Sequence, residues 1–332
     1  MSLTETARDK TALVLGATGG IGGEVARQLL AAGWQVRALT RRTATDAARA
    51  SAAEGIQWIQ GDVMQAGDVA KAARGVAVIV HAVNPPGYRN WAGTVLPMLD
   101  STLAAATAEK ATVVLPGTVY NFGPDAFPLI NDDSPQHPVT RKGAIRVELE
   151  ERLREATTRG ARAIVVRAGD FFGPRAGSSW FSQGLVVPGK PVRTIRSPAR
   201  RGVGHQWAYL PDVARTMLAL LERRDTLPPF CRVNMAGHWD SDGTAMVTTI
   251  QRVVARQGQA AAIQPFPWWM MRLIAPFQPT IRELMEMRYL WQRPVRMAND
   301  RLLGILGHEP HTPLEDAVEE TLRGLGCLPA RS

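Results

Sequence analysis

Leu13-Val14-Leu15-Gly16-Ala17-Thr18-Gly19-Gly20-Ile21-Gly22 is the stretch that decides the fold. A short apolar strand breaks into glycines and then turns into a helix. Ile21, Val25 and Leu29 repeat every four residues, so one helical face is apolar and packs back on a sheet. Gly16, Gly19 and Gly22 set the spacing G-x-x-G-x-x-G. The three give a tight strand-to-helix turn, bare backbone against which a pyrophosphate fits, and close helix–strand contact. The exposed N–H groups and the dipole at the helix start attract phosphate. The order strand, glycine turn, helix makes this a dinucleotide-binding pattern; a glycine-rich turn that binds nothing is the bland alternative.

Outward from that turn, strand-like and helical runs alternate. Strands are expected at Ala12–Leu15, Gln35–Leu39, Ile56–Ile59, Val76–Val80, Thr112–Leu115 and Ala163–Val166. Helices are expected at Gly22–Ala32, Asp68–Arg74, Thr94–Glu109 and Lys142–Thr158. This alternation predicts an α/β fold, a Rossmann-type doubly wound parallel sheet with right-handed crossovers. After Phe171 the order loosens into Gly, Pro, Ser and Arg. A helix then opens at Pro211, and more follow, ending in Pro313–Leu325. The expected division is a cofactor domain over 1–170, to which 208–236 returns, and a smaller, mostly helical substrate lobe from 171–207 and 237–332.

Composition narrows the function. With 45% apolar residues in 332 there is material for a large core. Cys231 and Cys327 are the two cysteines, neither in a C-x-x-C pair, which fits a reducing cytoplasm and argues against a metal or disulfide framework. No apolar stretch reaches membrane-spanning length, and Glu5, Arg8, Asp9 and Lys10 stand where a signal-peptide core would lie. The expectation is a cytoplasmic protein without a membrane partner. Net charge is +9, yet the arginines are scattered with no basic run or aromatic-studded RNA signature, so nucleic acid is not the expected partner. A small-molecule substrate is, and a homodimer is compatible with the chain.

At the end of the second strand, Thr40-Arg41-Arg42 stands where a carboxylate would bind the adenosine ribose. A guanidinium clamps a 2′-phosphate, so NADP(H) is favoured, with NAD(H) as the alternative. Gln60-Gly61-Asp62-Val63 ends the third strand and offers Asp62 to the adenine amino group. His81-Ala82-Val83 ends the fourth with small residues along which a cofactor can run.

These features resemble the extended and atypical short-chain dehydrogenase/reductase superfamily, the nucleotide-sugar epimerase/dehydratase-like branch. The resemblance spans nearly the whole chain. It rests on Gly16–Gly23, Gly61-Asp62-Val63, Thr118–Pro124, Arg167–Pro174 and Tyr209–Ala214. It implies that Gly16, Thr18, Gly19, Gly20, Ile21, Gly22, Arg41, Arg42, Asp62, Val63, Ala82 and Val83 touch the dinucleotide. It further implies that Leu115, Pro116, Gly117 and the Ala168–Phe171 turn lie near the nicotinamide.

The departure from the family is as informative. Its enzymes pair a tyrosine with a lysine four residues on, so that the phenol passes a proton while hydride moves. Here Tyr88, Tyr120, Tyr209 and Tyr289 are followed at that distance by Ala92, Pro124, Val213 and Arg293. The usual relay is missing. Thr118 survives as the strand hydroxyl, and the candidate replacements are Tyr120, which packing alone would also explain, and Lys142, which could reach ribose hydroxyls. The expected activity is an oxidoreductase or epimerase/dehydratase-like reaction on a small organic substrate, a nucleotide-sugar-like one among the candidates, with non-standard proton-transfer groups. The alternative is a non-catalytic NADP(H) sensor or assembly factor.

Three further clusters invite a reading. Arg193, Arg196, Arg200 and Arg201 could bind a phosphate or carboxylate from a loop at the cleft, or be solvated charge. The run Pro265–Ile274, with Trp268-Trp269-Met270-Met271, could line an apolar pocket, meet a partner or touch a membrane; Trp268–Ile274 is expected to be buried in the fold or against a hydrophobic ligand rather than in lipid. His308 and His311 flank Glu309-Pro310, and the proline argues against a helical metal pair. No metal is expected.

Overall fold

Five- to seven-residue apolar runs form most of the central strands because helices cover both faces of a parallel sheet. In β1 (Thr11–Leu15), Ala12 and Val14 point into one core and Leu13 and Leu15 into the other. The computed structural model describes residues 10–43, 45, 46, 54–85 and 91–329. Seven parallel strands make the sheet: β1, β2 (Gln35–Thr40), β3 (Ile56–Gln60), β4 (Val78–His81), β5 (Thr112–Thr118), β7 (Arg162–Ala168) and β11 (Phe230–Asn234). Their spatial order is β11-β7-β5-β4-β1-β2-β3. The order reverses beside β1, which places a switch point between β1 and β4.

One face carries α1 (Gly20–Ala31), α5 (Leu210–Glu222) and α9 (Asp300–Leu306). The other carries α2 (Ala66–Ala73), α3 (Trp91–Glu109) and α4 (Arg141–Thr157). The doubly wound Rossmann-type architecture expected from the sequence is the one observed. The seventh strand is not among the expected ones: Phe230-Cys231-Arg232-Val233-Asn234 is an edge strand with polar residues at alternate positions, which weakens its apolar pattern.

The remaining chain holds α6 (Ala245–Arg256), α7 (Trp268–Ile274), α8 (Pro279–Glu286) and α10 (Leu314–Gly324). It also contains more strand than the sequence suggests. β10 (His205–Tyr209) pairs with β8 (Asp170–Phe172) and β12 (His238–Asp240), and β9 (Thr194–Ser197) pairs with β13 (Ala262–Pro265). β6 (Leu129–Ile130) pairs with β14 (Arg296–Met297), so a late segment returns to the loop after β5. These strands are two to five residues long and join distant segments, too short for a periodicity to show.

Candidate functional site

The glycine turn sits at the switch point. Gly16 has φ +92, and a Cβ there would strike the Ala82 carbonyl and crowd Val83, so the turn presses directly on the end of β4. A Cβ on Gly22 would strike the Gly16 carbonyl. Ile21 packs into the core below, while Thr18 and Gly19 are exposed. Gly19 is the N-cap of α1, no side chain caps the helix, and its first turn has no acidic residue. Its first N–H groups are therefore without a built-in anion, as a phosphate site requires.

Around this turn lie the other expected cofactor residues. Arg41 and Arg42 directly follow β2 and are exposed. Asp62 follows β3; its Oδ1 accepts from the Met64 N–H at 3.0 Å, which shapes the bend, and Val63 packs on the core. Pro116 and Gly117 are buried within β5. Gly117 is explained by a neighbour, since a Cβ there would lie 2.6 Å from Cγ of Arg167. Ala168 ends β7 opposite Thr118.

Beside the turn opens a cavity of about 450 Å³, lined among others by Tyr120, Lys142, Asp170 and Phe171. Thr118 is not in its wall. Instead its Oγ1 accepts from the Tyr120 N–H at 3.1 Å and caps the 3-10 turn Val119–Asn121, and this turn carries Tyr120 to the cavity. Helix α4 starts where Thr140 Oγ1 accepts from the Gly143 N–H at 3.0 Å, and so brings Lys142 into the cavity wall as well. Lys142 is buried, with Nζ 3.1 Å from Oε2 of Glu283 on α8 and 5.9 Å from the Trp91 ring centre. Ala176 joins the two regions. A Cβ on Gly20 would lie 2.7 Å from the Ala176 carbonyl, and Ala176 itself lines the cavity.

A family model described as the NmrA-like family matches residues 8–257, three quarters of the chain. The chain belongs to the NmrA-like family. Similar solved structures share the fold along nearly its whole length. A UDP-glucose 4-epimerase from Brucella ovis in complex with NAD is 14% identical, with TM-score 0.73 over 96% of this chain and 98% of that one. A UDP-glucuronic acid 4-epimerase from Bacillus cereus, in complex with UDP-glucuronic acid and NAD, is 16% identical with TM-score 0.71 over 95% and 98%. MoeE5, in complex with UDP-glucose and NAD, is 17% identical with TM-score 0.68 over 95% and 98%. No curated protein matches in sequence.

In this NmrA-like chain, the support beneath the cavity is a buried charged network. Arg167, fully buried, donates from Nε and Nη2 to both oxygens of Glu150 at 2.9 and 2.5 Å, and from Nη1 to the Asp132 carbonyl at 3.1 Å. Asn121 donates to Glu150 at 2.9 Å, which fixes the turn bearing Tyr120. The sequence reading missed one pair altogether. Asp170 Oδ2 lies 2.9 Å from Nε2 of His205, whose ring stacks on Trp291 at 3.6 Å between centres. Their separation of 35 positions hides the pairing, which β8–β10 register creates.

Of the arginine cluster, only Arg196 lines this cavity; Arg193, Arg200 and Arg201 are exposed elsewhere. Of the two forms of burial expected for Trp268–Ile274, burial within the fold is corrected. None of α7 is buried, and Trp269 and Leu273 are 70% and 65% exposed. The seven-residue helix, set between Pro267 and Pro276, turns one narrow face inward, through Trp268, Met271 and Ile274. Among the described residues, one group gathers three metal-capable side chains, Asp212, His238 and His311. Its carboxylate already accepts from Arg215 and from Thr312 N and Oγ1, the latter two at 2.7 and 2.8 Å, and so clamps the segment before α10 to α5.

Proposed function

We propose that this protein binds a nicotinamide dinucleotide, NADP(H) in preference to NAD(H), at the glycine turn and acts as an oxidoreductase or epimerase/dehydratase-like enzyme on a small organic substrate in the adjoining cavity. The observation that carries the reading is the contact of Ala176 with both regions, the Gly20 turn on one side and the cavity on the other. The uncapped start of α1 fits a pyrophosphate, and the exposed Arg41 and Arg42 fit a 2′-phosphate. When bound, the dinucleotide supplies hydride-transfer chemistry. In this reading, residues 1–170 with 208–236 hold the cofactor, 171–207 and 237–332 hold the substrate, and the free buried Cys231 and Cys327 suit a reducing cytoplasm.

The chain's own groups then divide the remaining work. Tyr120 borders the cavity and offers a phenolic proton to a substrate oxygen. Thr118 fixes the Tyr120 backbone and keeps its own O–H available to donate. Asp170, held by His205, is a second group able to accept a proton. Lys142 holds a positive charge in the same wall, balanced by Glu283. The absence of a Tyr-x-x-x-Lys pair supports the second reading, a sensor that binds NADP(H) without turnover.

Fluorescence titration with NADPH and NADH tests the first step. NADPH should bind more tightly, and replacing Arg41 and Arg42 together by Ala should weaken NADPH by about 1.5–3 kcal/mol while sparing NADH. Equal affinity for the two cofactors in the native protein removes the preference. Binding of NADPH without oxidation against any carbonyl, alcohol or sugar-nucleotide substrate selects the sensor.

A further inference from the structure

The cavity beside the glycine turn has the wrong lining for a nucleotide diphosphate. Among the described residues its charged side chains are Lys142, Arg196, Asp170 and Glu283, two of each sign, and Lys142 is already spent on Glu283 at 3.1 Å. A diphosphate needs a surplus of cationic or N–H donors, and here its second charge would face two carboxylates. The rest of the wall is mainly apolar: Phe171, Trp180, Phe266, Met270, Met271 and Met287 stand out. Trp180 meets Phe266 and Trp268 at ring-centre distances of 5.8 and 5.7 Å, forming a rigid aromatic side. The three methionines add lining that adapts its shape.

The wall continues to the surface. Met270 lines the cavity and is also 37% exposed, next to the exposed Trp269 and Leu273. Tyr120 and Asp170 also line the cavity and are suited to a single oxygen function.

We propose that the cavity takes a lipophilic substrate, an apolar chain or ring system bearing one carbonyl or hydroxyl group, and does not take a nucleotide sugar. The oxygen lies at Tyr120 and the apolar body lies against Trp180, Phe266 and the methionines. This deepens the functional reading above and rests on it for the identity of the reacting end. The breadth of apolar bodies accepted follows from the thioether wall, which can repack around different shapes.

Calorimetric titration of the full-length protein with a series of unreactive ketones, from 2-hexanone to 2-dodecanone, tests this beside UDP-glucose and UDP-glucuronic acid. Affinity should rise about two- to four-fold for each added methylene until the cavity is filled. The nucleotide sugars should bind more weakly than the longest ketones. Met271→Gln should flatten the chain-length dependence, and Met271→Leu should restore it, with circular dichroism confirming that both variants fold. Tighter binding of either nucleotide sugar, or affinity independent of chain length in the native protein, overturns the proposal. NADPH titration of the same preparation separates the two readings. Loss of cofactor binding with the ketone series intact removes the redox function alone; the reverse removes the lipophilic substrate alone.

Discussion

The ammonium of Lys142 is 3.1 Å from the carboxylate of Glu283, and this pair joins helix α4 to helix α8 in the cavity wall. Burial is unequal: the Lys142 side chain is 5% exposed and that of Glu283 28%. Removing the acid leaves a buried cation, whereas removing the base leaves a carboxylate that water still reaches. The first loss is the more expensive.

We therefore expect Glu283→Ala to destabilise the protein by about 2–3 kcal/mol and Lys142→Met by about 1 kcal/mol. Urea unfolding of both single variants and the double variant measures the difference. Equal costs, or a larger cost for Lys142→Met, would show that the pair does not confine the charge as described. The same pairing bears on cofactor binding, because an ammonium committed to Glu283 has less to offer a ribose hydroxyl.

A second expectation separates Tyr120 from Thr118. The hydroxyl of Thr118 caps the turn from outside the cavity wall, while Tyr120 lines that wall. If a substrate is turned over, Tyr120→Phe should lower the chemical step by roughly 10- to 100-fold, the cost of losing one placed hydrogen bond. Thr118→Val should act mainly by loosening the turn, with a stability loss of about 1 kcal/mol for the lost cap. Single-turnover rates and thermal melts of the two variants decide it. A Thr118→Val rate defect larger than that of Tyr120→Phe would return the proton-transfer role to the strand hydroxyl.

How much of this was legible in the chain depends on the range of the interactions. The glycine turn, β1 and α1 are local: apolar run, glycine spacing and four-residue repeat all lie within 19 residues, and each is found where the pattern put it. Tyr120 and Lys142 were legible as a departure from a motif, though nothing local tells that Lys142 turns to Glu283, 141 residues away. Asp170 lay in the turn that the resemblance put near the nicotinamide, but its pairing with His205 carried no sign, because only strand register brings the two together. The α7 run misled for a different reason. Tryptophan and methionine read as core in any sequence, but a short helix between prolines can bury only one face, and this one lines a cavity with it.

The Arg167–Glu150 pair yields a third expectation. Both side chains are almost fully buried and joined by two hydrogen bonds, so taking away either partner strands a charge in the interior. Arg167→Met and Glu150→Gln should each cost about 3–5 kcal/mol. Gly117 sits against the Arg167 side chain, so Gly117→Ala should also destabilise by forcing that side chain aside. A cycle combining Arg167→Met with Gly117→Ala tests the contact: the second substitution should cost less once the arginine is gone. Strict additivity would mean that Gly117 is needed for something else, the cofactor included.

The buried histidines set the last expectation, the response of stability to acid. Burial pushes the His81 imidazole down to about 3, helped by the nearby Arg146 cation, and its Nδ1 lies 2.8 Å from Thr102 Oγ1. Burial also takes His238 down to about 4, with a smaller push from His311. In the unfolded chain both titrate near 6.5. Above that value neither state binds the proton, and the two rings make no difference to stability. Between about 6.5 and 4 the unfolded chain takes up protons that the folded protein refuses, so stability falls as the pH falls. For the pair the slope should approach about 2.7 kcal/mol per pH unit. The carboxylates held low, Asp125, Asp133 and Asp242, act in the same direction but only at more acid pH, below the ordinary carboxylate range. Thermal melts from pH 7.5 to 4 should therefore show the loss beginning above pH 5. The combined His81→Gln and His238→Gln variant, even if less stable overall, should show a flatter dependence in that window. An unchanged slope would mean that both rings are protonated in the folded protein, which would contradict the dry surroundings in which they lie.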